Sequence, residues 1–385
     1  MRTKTADGSV IGLYVHIPFC LSKCNYCDFN SFAGLDALFS AYTSALVQEI
    51  KDAAPAQVQT IYLGGGTPTV LPTPALDRIL QAIHQHFRVD AQAEINIEAN
   101  PCTIDLPKLR QLRSKGFNRL SLGVQSFDNQ ELQMLGRIHS DREAVQAVRN
   151  ARLAGFENLS LDLLYGLPQQ TLSSWQGSLA RALELTPDHL SLYALTLEEG
   201  TPLSAAIAKG KLPAPDPDLA ADMYEFAREM LSQAGFLHYE ISNWSRSPGL
   251  TCRHNLTYWR NEPYLGVGAG AHSWLFGKRW SNASLPADYI QQTARGRRPV
   301  SSTETIPQEL EMSETMMMGL RLLDEGIPFK RFQDRFGVPL TDRYAHQLEE
   351  LSGLDLIQIG NGRLRLSQRG YLLGNQAFLR FFPDQ

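Results

Sequence analysis

The chain has 385 residues, of which 43% are hydrophobic and 20% are charged, and its formal net charge is -4. This composition is typical of a globular protein with one large domain and a smaller one. The charge balance disfavours a broad nucleic-acid-binding surface. No apolar stretch is long enough for a membrane-spanning helix, and the first ten residues lack the apolar core of a signal peptide. We therefore expect a cytoplasmic protein with no nucleic-acid partner.

Short apolar runs alternate with helical patterns from residue 11 to about residue 196. The runs that predict strands are 11–17, 58–64, 93–99, 118–124, 158–164 and 188–196. The patterns that predict helices lie near 36–53, 74–88, 105–115, 128–153 and 172–185. This alternation indicates βαβ units around a parallel sheet, either doubly wound or closed into a partial (β/α)6 barrel. In both folds ligands bind at the carboxyl ends of the strands.

The pattern changes after residue 200. A proline-rich passage at 212–219 leads into a predicted helix at 217–234, and an irregular aromatic stretch follows at 238–285. The last 80 residues predict several helices that end on a short hairpin, which is typical of a winged helix. We therefore predict two domains, residues 1–292 and residues 300–385.

Three of the five cysteines lie together directly after the first predicted strand. Cys20, Cys24 and Cys27 form a C-x3-C-x2-C motif within HIPFCLSKCNYCDFNSF at 16–32. An odd number of cysteines in a large chain favours metal binding over a disulfide framework. Because a cubane cluster normally takes four cysteines, three would leave one iron open for a ligand. A zinc site that uses His16 is the alternative, although structural zinc sites are usually built from two pairs of ligands.

The motif and its surroundings resemble a known family. C-x3-C-x2-C after the first strand of a (β/α)6 pattern is similar to the radical S-adenosylmethionine (SAM) superfamily. The segments LYVHIPFC, GGGTPT, IEANP, GVQSF, GRIH and DLLYGLP resemble the oxygen-independent coproporphyrinogen III oxidase family within it. The resemblance implies a TIM-like partial barrel that holds a [4Fe–4S] cluster on the three cysteines. SAM would chelate the open iron and be cleaved to a 5′-deoxyadenosyl radical.

The matched motifs also imply which residues contact SAM. They are Tyr14, Tyr26, Gly65, Gly66, Thr67, Glu98, Gln125, Arg137, Asp162 and Ala194. The tyrosines would pack on adenine, and the glycines would let the backbone approach the ligand and expose its amides. Glu98 and Asp162 would accept from the ammonium group or the ribose hydroxyls, and Arg137 would bind the carboxylate.

Two features separate the branches of this family. The resemblance implies that a decarboxylating oxidase has a further cysteine two residues after the third, where this chain has Phe29, and an extension before the first strand, where only about a dozen residues precede Tyr14. In addition, HNLTYW at 254–259 resembles the H-N-x-x-Y-W signature of the heme chaperone (HemW) branch. His254 is a candidate heme ligand, and Tyr258 and Trp259 offer flat apolar surface to a porphyrin.

The sequence therefore predicts a radical SAM protein that acts as a heme chaperone. Its partners would be heme and heme-requiring acceptor proteins, with a homodimer as a further possibility. The alternative is an oxygen-independent coproporphyrinogen III oxidase, which would decarboxylate two propionates to vinyl groups. Residue types alone are also compatible with a third reading, in which His254 caps a loop over a buried Tyr-Trp pair.

Overall fold

The computed structural model describes residues 10–382. Its strands are β1 (Val10–Ile17), β2 (Phe19–Cys20), β3 (Phe32–Ala33), β4 (Gln57–Gly65), β5 (Arg88–Ala99), β6 (Arg119–Gln125), β7 (Leu159–Tyr165), β8 (His189–Ala194), β9 (Leu237–Glu240), β10 (Asn243–Ser245), β11 (Tyr264–Val267), β12 (His272–Leu275), β13 (Lys278–Asn282), β14 (Val300–Thr305), β15 (Ile327–Pro328), β16 (Ile357–Gly360) and β17 (Arg363–Leu366). Its α-helices are α1 (Phe39–Asp52), α2 (Thr73–His86), α3 (Leu106–Ser114), α4 (Asn129–Met134), α5 (Asp141–Leu153), α6 (Leu172–Glu184), α7 (Pro202–Ala208), α8 (Pro217–Gln233), α9 (Arg253–Trp259), α10 (Pro286–Ala294), α11 (Gln308–Gly319), α12 (Phe329–Phe336), α13 (Leu340–Arg343), α14 (Ala345–Gly353), α15 (Gln368–Leu372) and α16 (Gly374–Leu379).

The six strands predicted between residues 11 and 196 lie side by side. They appear in chain order as β1, β4, β5, β6, β7 and β8, and each neighbouring pair is parallel. Helices connect these strands because a parallel pair needs a long crossover. The predicted α/β fold, a partial (β/α)6 barrel followed by a small helical unit, is confirmed.

The central strands alternate between apolar and polar side chains. In β5, Ile95 and Ile97 join the main hydrophobic core, whereas Glu94, Asn96 and Glu98 take the alternate positions. Successive side chains of a strand point to opposite faces, so the polar residues share the inner face of the barrel. The apolar residues pack against the surrounding helices.

Further strands extend the sheet at both ends, so that it has 12 strands. β11 is parallel to β1 and leads to β12, β13 and β14, while β10 and β9 follow β8. The stretch 238–285, which we predicted to be irregular, therefore contains strands β9–β13 and helix α9. Val300–Thr305 pairs with β13, so these residues belong to the large sheet, although the sequence placed them beyond a domain boundary at 293–299.

The helix predicted over 128–153 is divided in two. α4 ends at Met134 and α5 begins at Asp141. Gly136 has φ of +70° at this break, and an added Cβ there would lie 2.9 Å from the side chain of Asn25. The close approach of the cysteine loop therefore requires a glycine that also ends the helix.

The last part of the described chain forms a separate apolar cluster. α11 to α16 surround the three-stranded sheet β15-β17-β16, and residues such as Met316, Leu340 and Leu364 are fully buried within it. Helices around a small antiparallel sheet match the predicted winged-helix-like unit. In residues 10–382 we find no helix with the length and apolar character that a membrane span requires.

Candidate functional site

A cavity of about 420 Å³ opens at the carboxyl ends of the parallel strands. It brings together most of the residues that the sequence singled out: Cys20, Cys24, Cys27, Tyr26, Gly65, Gly66, Thr67, Glu98, Gln125, Arg137, Asp162 and Ala194 all line it. Four predicted residues do not line it: Tyr14, His254, Tyr258 and Trp259. The volume falls within the range of about 300–1,000 Å³ that is usual for one small-molecule site.

The three cysteines are partly buried on one wall of this cavity, and none forms a disulfide. Their loop is anchored by Asn25, whose backbone N–H donates to Leu135 O at 2.9 Å and whose side chain donates to Met134 O at 2.9 Å. Burial raises the pKa of Cys20 and of Cys27 above the usual value. Iron would offset this effect because it stabilises the thiolate form, so the donor set fits an iron–sulfur cluster.

The glycine strip at the end of β4 brings this strand close to the cysteine loop. An added Cβ at Gly66 would lie 2.6 Å from Phe19 O, and one at Gly65 would lie 2.5 Å from the His16 ring. The N–H groups of Gly66 and Thr67 donate to Ile17 O at 2.9 Å and Phe19 O at 2.7 Å. We expected these two amides to face a ligand, but both already donate to backbone carbonyls.

Two partly buried carboxylates face the cavity. Glu98 accepts from the Tyr62 hydroxyl at 2.6 Å, and Asp162 accepts from Ser121 at 2.9 Å. Burial raises the pKa of Glu98 to about 7 and also raises the pKa of Asp162. Among residues 10–382 neither carboxylate forms a salt bridge. Such a pair suits a ligand with positive charge, such as the ammonium and sulfonium groups of SAM.

Arg137 lies between the cysteine loop and the strand ends. Its Nη1 is 3.3 Å from Cys24 Sγ, and its Nη2 donates to Asn100 Oδ1 at 2.7 Å. Arg137 Nε is buried and has no partner among the described residues. The guanidinium is therefore fixed at the edge of the cavity with one donor free, which is compatible with a carboxylate ligand.

Tyr26, Gln125 and Ala194 complete the predicted set at the cavity. Tyr26 packs on a small apolar cluster that includes Leu135 and Leu164. Gln125 has φ of +68°, a conformation that costs energy in a residue other than glycine and that concentrates at functional sites. Tyr14 lies outside the cavity, and its hydroxyl donates to His16 Nδ1 at 2.9 Å.

Our list of candidate residues missed Asn96, which lines the same cavity. This side chain is fully buried, and neither Nδ2 nor Oδ1 has a partner among the described residues. A ligand with an adjacent donor and acceptor would satisfy it. The signal was present in EINIEA, where Asn96 alternates with Glu94 and Glu98 on a strand that is otherwise apolar.

The HNLTYW segment lies in helix α9, which contacts β4 through His254 and Thr60. His254 is 1% exposed, its Nδ1 bonds to Thr60 Oγ1 at 2.9 Å, and its Nε2 bonds to the Tyr258 hydroxyl at 2.9 Å. Burial lowers the pKa of His254 to about 3, so its ring is neutral at physiological pH. In this conformation neither ring nitrogen is free to bind iron. Trp259 packs beneath the guanidinium of Arg321, 4.4 Å from the ring centroid.

His16, the fourth ligand of the zinc alternative, is engaged elsewhere. Its Nε2 lies 2.9 Å from Asn30 O, to which it donates, and its Nδ1 accepts from Tyr14. Both ring nitrogens are thus occupied, and the ring is buried. This arrangement disfavours a zinc site.

Comparison with known proteins agrees with the fold. The Radical SAM superfamily model matches residues 14–182, and the HemN C-terminal domain model matches residues 306–373. Fold and motif thus define a radical SAM protein. The solved structure of the coproporphyrinogen III oxidase HemN from Escherichia coli, a radical SAM enzyme, is similar, with a TM-score of 0.85 and 26% identity over 97% of this chain and 90% of that one.

Relatives over the whole chain specify the family. The heme chaperone HemW of Lactococcus lactis is 35% identical over 96% of this chain and 97% of its own length. The heme chaperone HemW of Bacillus subtilis is 37% identical over 96% of this chain and 99% of its own length. The chain belongs to the HemW family of radical SAM proteins. The cofactors of this superfamily are a [4Fe–4S] cluster and SAM, and the cluster supplies the electron for SAM cleavage.

Proposed function

We propose that this protein is a heme chaperone, which binds heme and transfers it to heme-requiring acceptor proteins. The observation that carries this proposal is its similarity, over almost the whole chain, to two bacterial proteins described as heme chaperones. Phe29 supports it. This side chain is 66% exposed at the cavity, in the position where the oxidase branch has a cysteine. The absence of that cysteine disfavours the oxidase activity.

Within this proposal Cys20, Cys24 and Cys27 bind the cluster, and SAM binds at the cavity residues described above. Cys24→Ala should then lose the cluster, because only two thiolates remain. Iron and sulfide content after anaerobic reconstitution is the measurement, and Cys102→Ala is the matched control because Cys102 is also a partly buried free cysteine. Retention of a full cluster in Cys24→Ala would contradict the assignment.

For heme we propose a site at the α9 residues His254, Tyr258 and Trp259. The support for this site is the resemblance of HNLTYW at 254–259 to the H-N-x-x-Y-W signature of the heme chaperone branch. Heme ligation by His254 requires α9 to move, since both ring nitrogens are hydrogen-bonded. Heme titration of His254→Ala, followed by absorption, should show at least tenfold weaker binding than the native chain or His86→Ala. Equal affinity in all three would place heme elsewhere.

A second candidate is an oxygen-independent coproporphyrinogen III oxidase. The similarity to HemN over nearly the whole of both chains favours it, whereas Phe29 disfavours it. The reconstituted protein, supplied with SAM, reductant and coproporphyrinogen III under anaerobic conditions, should form no protoporphyrinogen IX if the chaperone proposal holds. Formation of protoporphyrinogen IX by a protein that binds no heme would instead establish the oxidase activity.

Three further features belong to the proposal. We place the protein in the cytoplasm, and we expect a homodimer whose formation responds to SAM, which light scattering with and without SAM tests. We also propose two domains. The boundary falls after Thr305 rather than at 293–299, because β14 pairs within the large sheet and the second apolar cluster begins at Met312.

A further inference from the structure

Each cysteine sulfur of the motif has a side-chain hydrogen-bond donor beside it. The pairs are Thr67 Oγ1 with Cys20 Sγ at 3.7 Å, Arg137 Nη1 with Cys24 Sγ at 3.3 Å, and Ser31 Oγ with Cys27 Sγ at 3.8 Å. A cluster-bound thiolate carries no proton, so in the last pair the Ser31 hydroxyl is the donor once the cluster is bound. The three donors come from separate parts of the chain. Thr67 and Arg137 already have predicted contacts with SAM, whereas Ser31 has no role in the preceding proposals.

The hydroxyl of Ser31 lies between two of the cysteines. Its Oγ lies 3.8 Å from Cys27 Sγ, and it also reaches Cys20 with a side-chain hydrogen bond. Ser31 is 2% exposed, so water does not compete strongly for its hydroxyl. A buried donor of this kind acts on the sulfur charge more strongly than one in water.

The neighbours of Ser31 hold this hydroxyl in place. The Asn30 side chain donates to Ala269 O at 3.0 Å and to Ser284 O at 2.9 Å. Gly270 makes room for the Asn30 side chain, because an added Cβ at residue 270 would lie 2.3 Å from Asn30 Nδ2. On the other side, Phe32 N donates to Pro18 O at 2.7 Å. The glycine-rich segment near residue 270 therefore positions Ser31, although it lies far from the cysteines in sequence.

We propose that Ser31 raises the reduction potential of the [4Fe–4S] cluster by donating a hydrogen bond to cysteine sulfur. Reduction adds one electron to an anionic cluster and increases the negative charge on the sulfurs, so a donor stabilises the reduced form more than the oxidised form. Hydrogen bonds to the sulfurs are among the factors that set these potentials. The proton stays on Ser31 throughout, and the electron comes from the external reductant. The proposal rests on the three cysteines as cluster ligands but not on heme transfer.

The test compares three variants of the full chain. Ser31→Ala removes the hydroxyl, Ser31→Thr retains one, and Ser22→Ala makes the same chemical change at an exposed serine of the same loop that also lines the cavity. After anaerobic reconstitution, each is titrated with dithionite and redox mediators, and the reduced cluster is followed by electron paramagnetic resonance. Iron and sulfide content are measured on the same samples.

At equal solution potential, we expect Ser31→Ala to have a several-fold lower ratio of reduced to oxidised cluster than the native chain. A tenfold change corresponds to 59 mV for one electron. Ser31→Thr and Ser22→Ala should stay close to the native chain. An unchanged potential in Ser31→Ala, or an equal shift in Ser22→Ala, would overturn the proposal. Loss of the cluster from Ser31→Ala alone would also overturn it, because Ser31 would then be structural. Absence of a cluster from the native chain would instead refute the cysteine assignment.

Discussion

A buried polar side chain on the inner face of the barrel lowers the stability of the fold unless it finds a hydrogen-bond partner. Asn96 is the clearest example, because its amide has no partner among the described residues although it lines the cavity. Burial of an unpaired amide costs on the order of 1–3 kcal/mol. Its presence is therefore better explained by binding than by stability.

Replacement of Asn96 by the similarly shaped leucine should separate these two effects. We expect Asn96→Leu to be about 1 kcal/mol or more stable without ligand and to bind SAM roughly tenfold more weakly. Thermal unfolding and calorimetric titration with SAM measure the two quantities. Ser121→Ala, at another position on the inner face, is the comparison that should weaken binding without a gain in stability. Unchanged SAM affinity in Asn96→Leu would show that this amide does not contact the ligand.

At the scale of elements, the close contact between β2 and the end of β4 depends on Gly66, the residue after β4, because it has no side chain. Gly66→Ala would place a methyl group 2.6 Å from Phe19 O, and a backbone atom cannot move away cheaply. We expect a loss of about 1–3 kcal/mol in stability and a several-fold fall in cluster content, because β2 ends at Cys20. Denaturant unfolding and iron analysis measure these effects.

Gly177→Ala is the control for this prediction. Gly177 lies inside helix α6 and an added Cβ would meet no atom within 4 Å. It should stabilise the protein by about 0.4–1 kcal/mol and leave the cluster content unchanged. Equal behaviour of the two glycine variants would contradict the packing argument.

A partly buried glutamate, Glu49, links α1 to the residue after β11, to β13 and to α10. Glu49 accepts from Gly268 N at 2.8 Å, from Asn282 Nδ2 at 2.7 Å and from the Tyr289 hydroxyl at 2.5 Å. Burial raises its pKa from 4.5 to about 7. The folded state then binds this proton more tightly than the unfolded state does. The stabilisation from protonated Glu49 is present below about pH 4.5 and is lost as pH rises to about 7.

Glu49→Gln should remove this pH dependence. From the size of the shift, the difference between native and variant stability should change by on the order of 3 kcal/mol between pH 4.5 and 7. Native stability should fall relative to the variant over that interval. Denaturant unfolding at several pH values is the measurement, with the exposed Glu184→Gln as control. A constant difference across the interval would contradict the prediction.

At the scale of the whole molecule, α9 lies between the barrel and the C-terminal unit. His254 bonds to Thr60 of the barrel, while Arg260 pairs with Glu325 at 2.6 Å and Asn261 Nδ2 donates to Thr315 at 3.0 Å. The proposed heme site at α9 is thus enclosed from both sides. Movement of the C-terminal unit would expose it.

Weakening that contact should therefore speed heme binding. Glu325→Ala removes the partner of Arg260 and of Arg331, and since these groups are partly exposed the loss is about 1 kcal/mol. We expect heme to associate several-fold faster in stopped-flow absorption measurements. Glu350→Ala, which breaks an ion pair within the C-terminal unit, should leave the rate unchanged. An unchanged rate in Glu325→Ala would mean that heme reaches the protein by another route.

The sequence by itself determined the features that depend on local pattern. Hydrophobic alternation predicted six strands in a parallel sheet and left a doubly wound sheet and a partial barrel both open. The parallel strand ends predicted a common rim where Cys20, Gly65 and Glu98 meet. The cavity contains these residues as expected. Periodicity and motif spacing suffice here because a βαβ unit is built from neighbours in the chain.

Only the tertiary structure decided which groups are hydrogen-bond partners. The hydrogen bond of His254 to Thr60 spans 194 residues, and that of Asn30 to Ser284 spans 254. No local pattern could show that His254 is enclosed, that Asn96 has no partner or that Ser31 lies against Cys27. The physical reason is that hydrogen bonding and burial depend on atoms that come together only when distant segments pack.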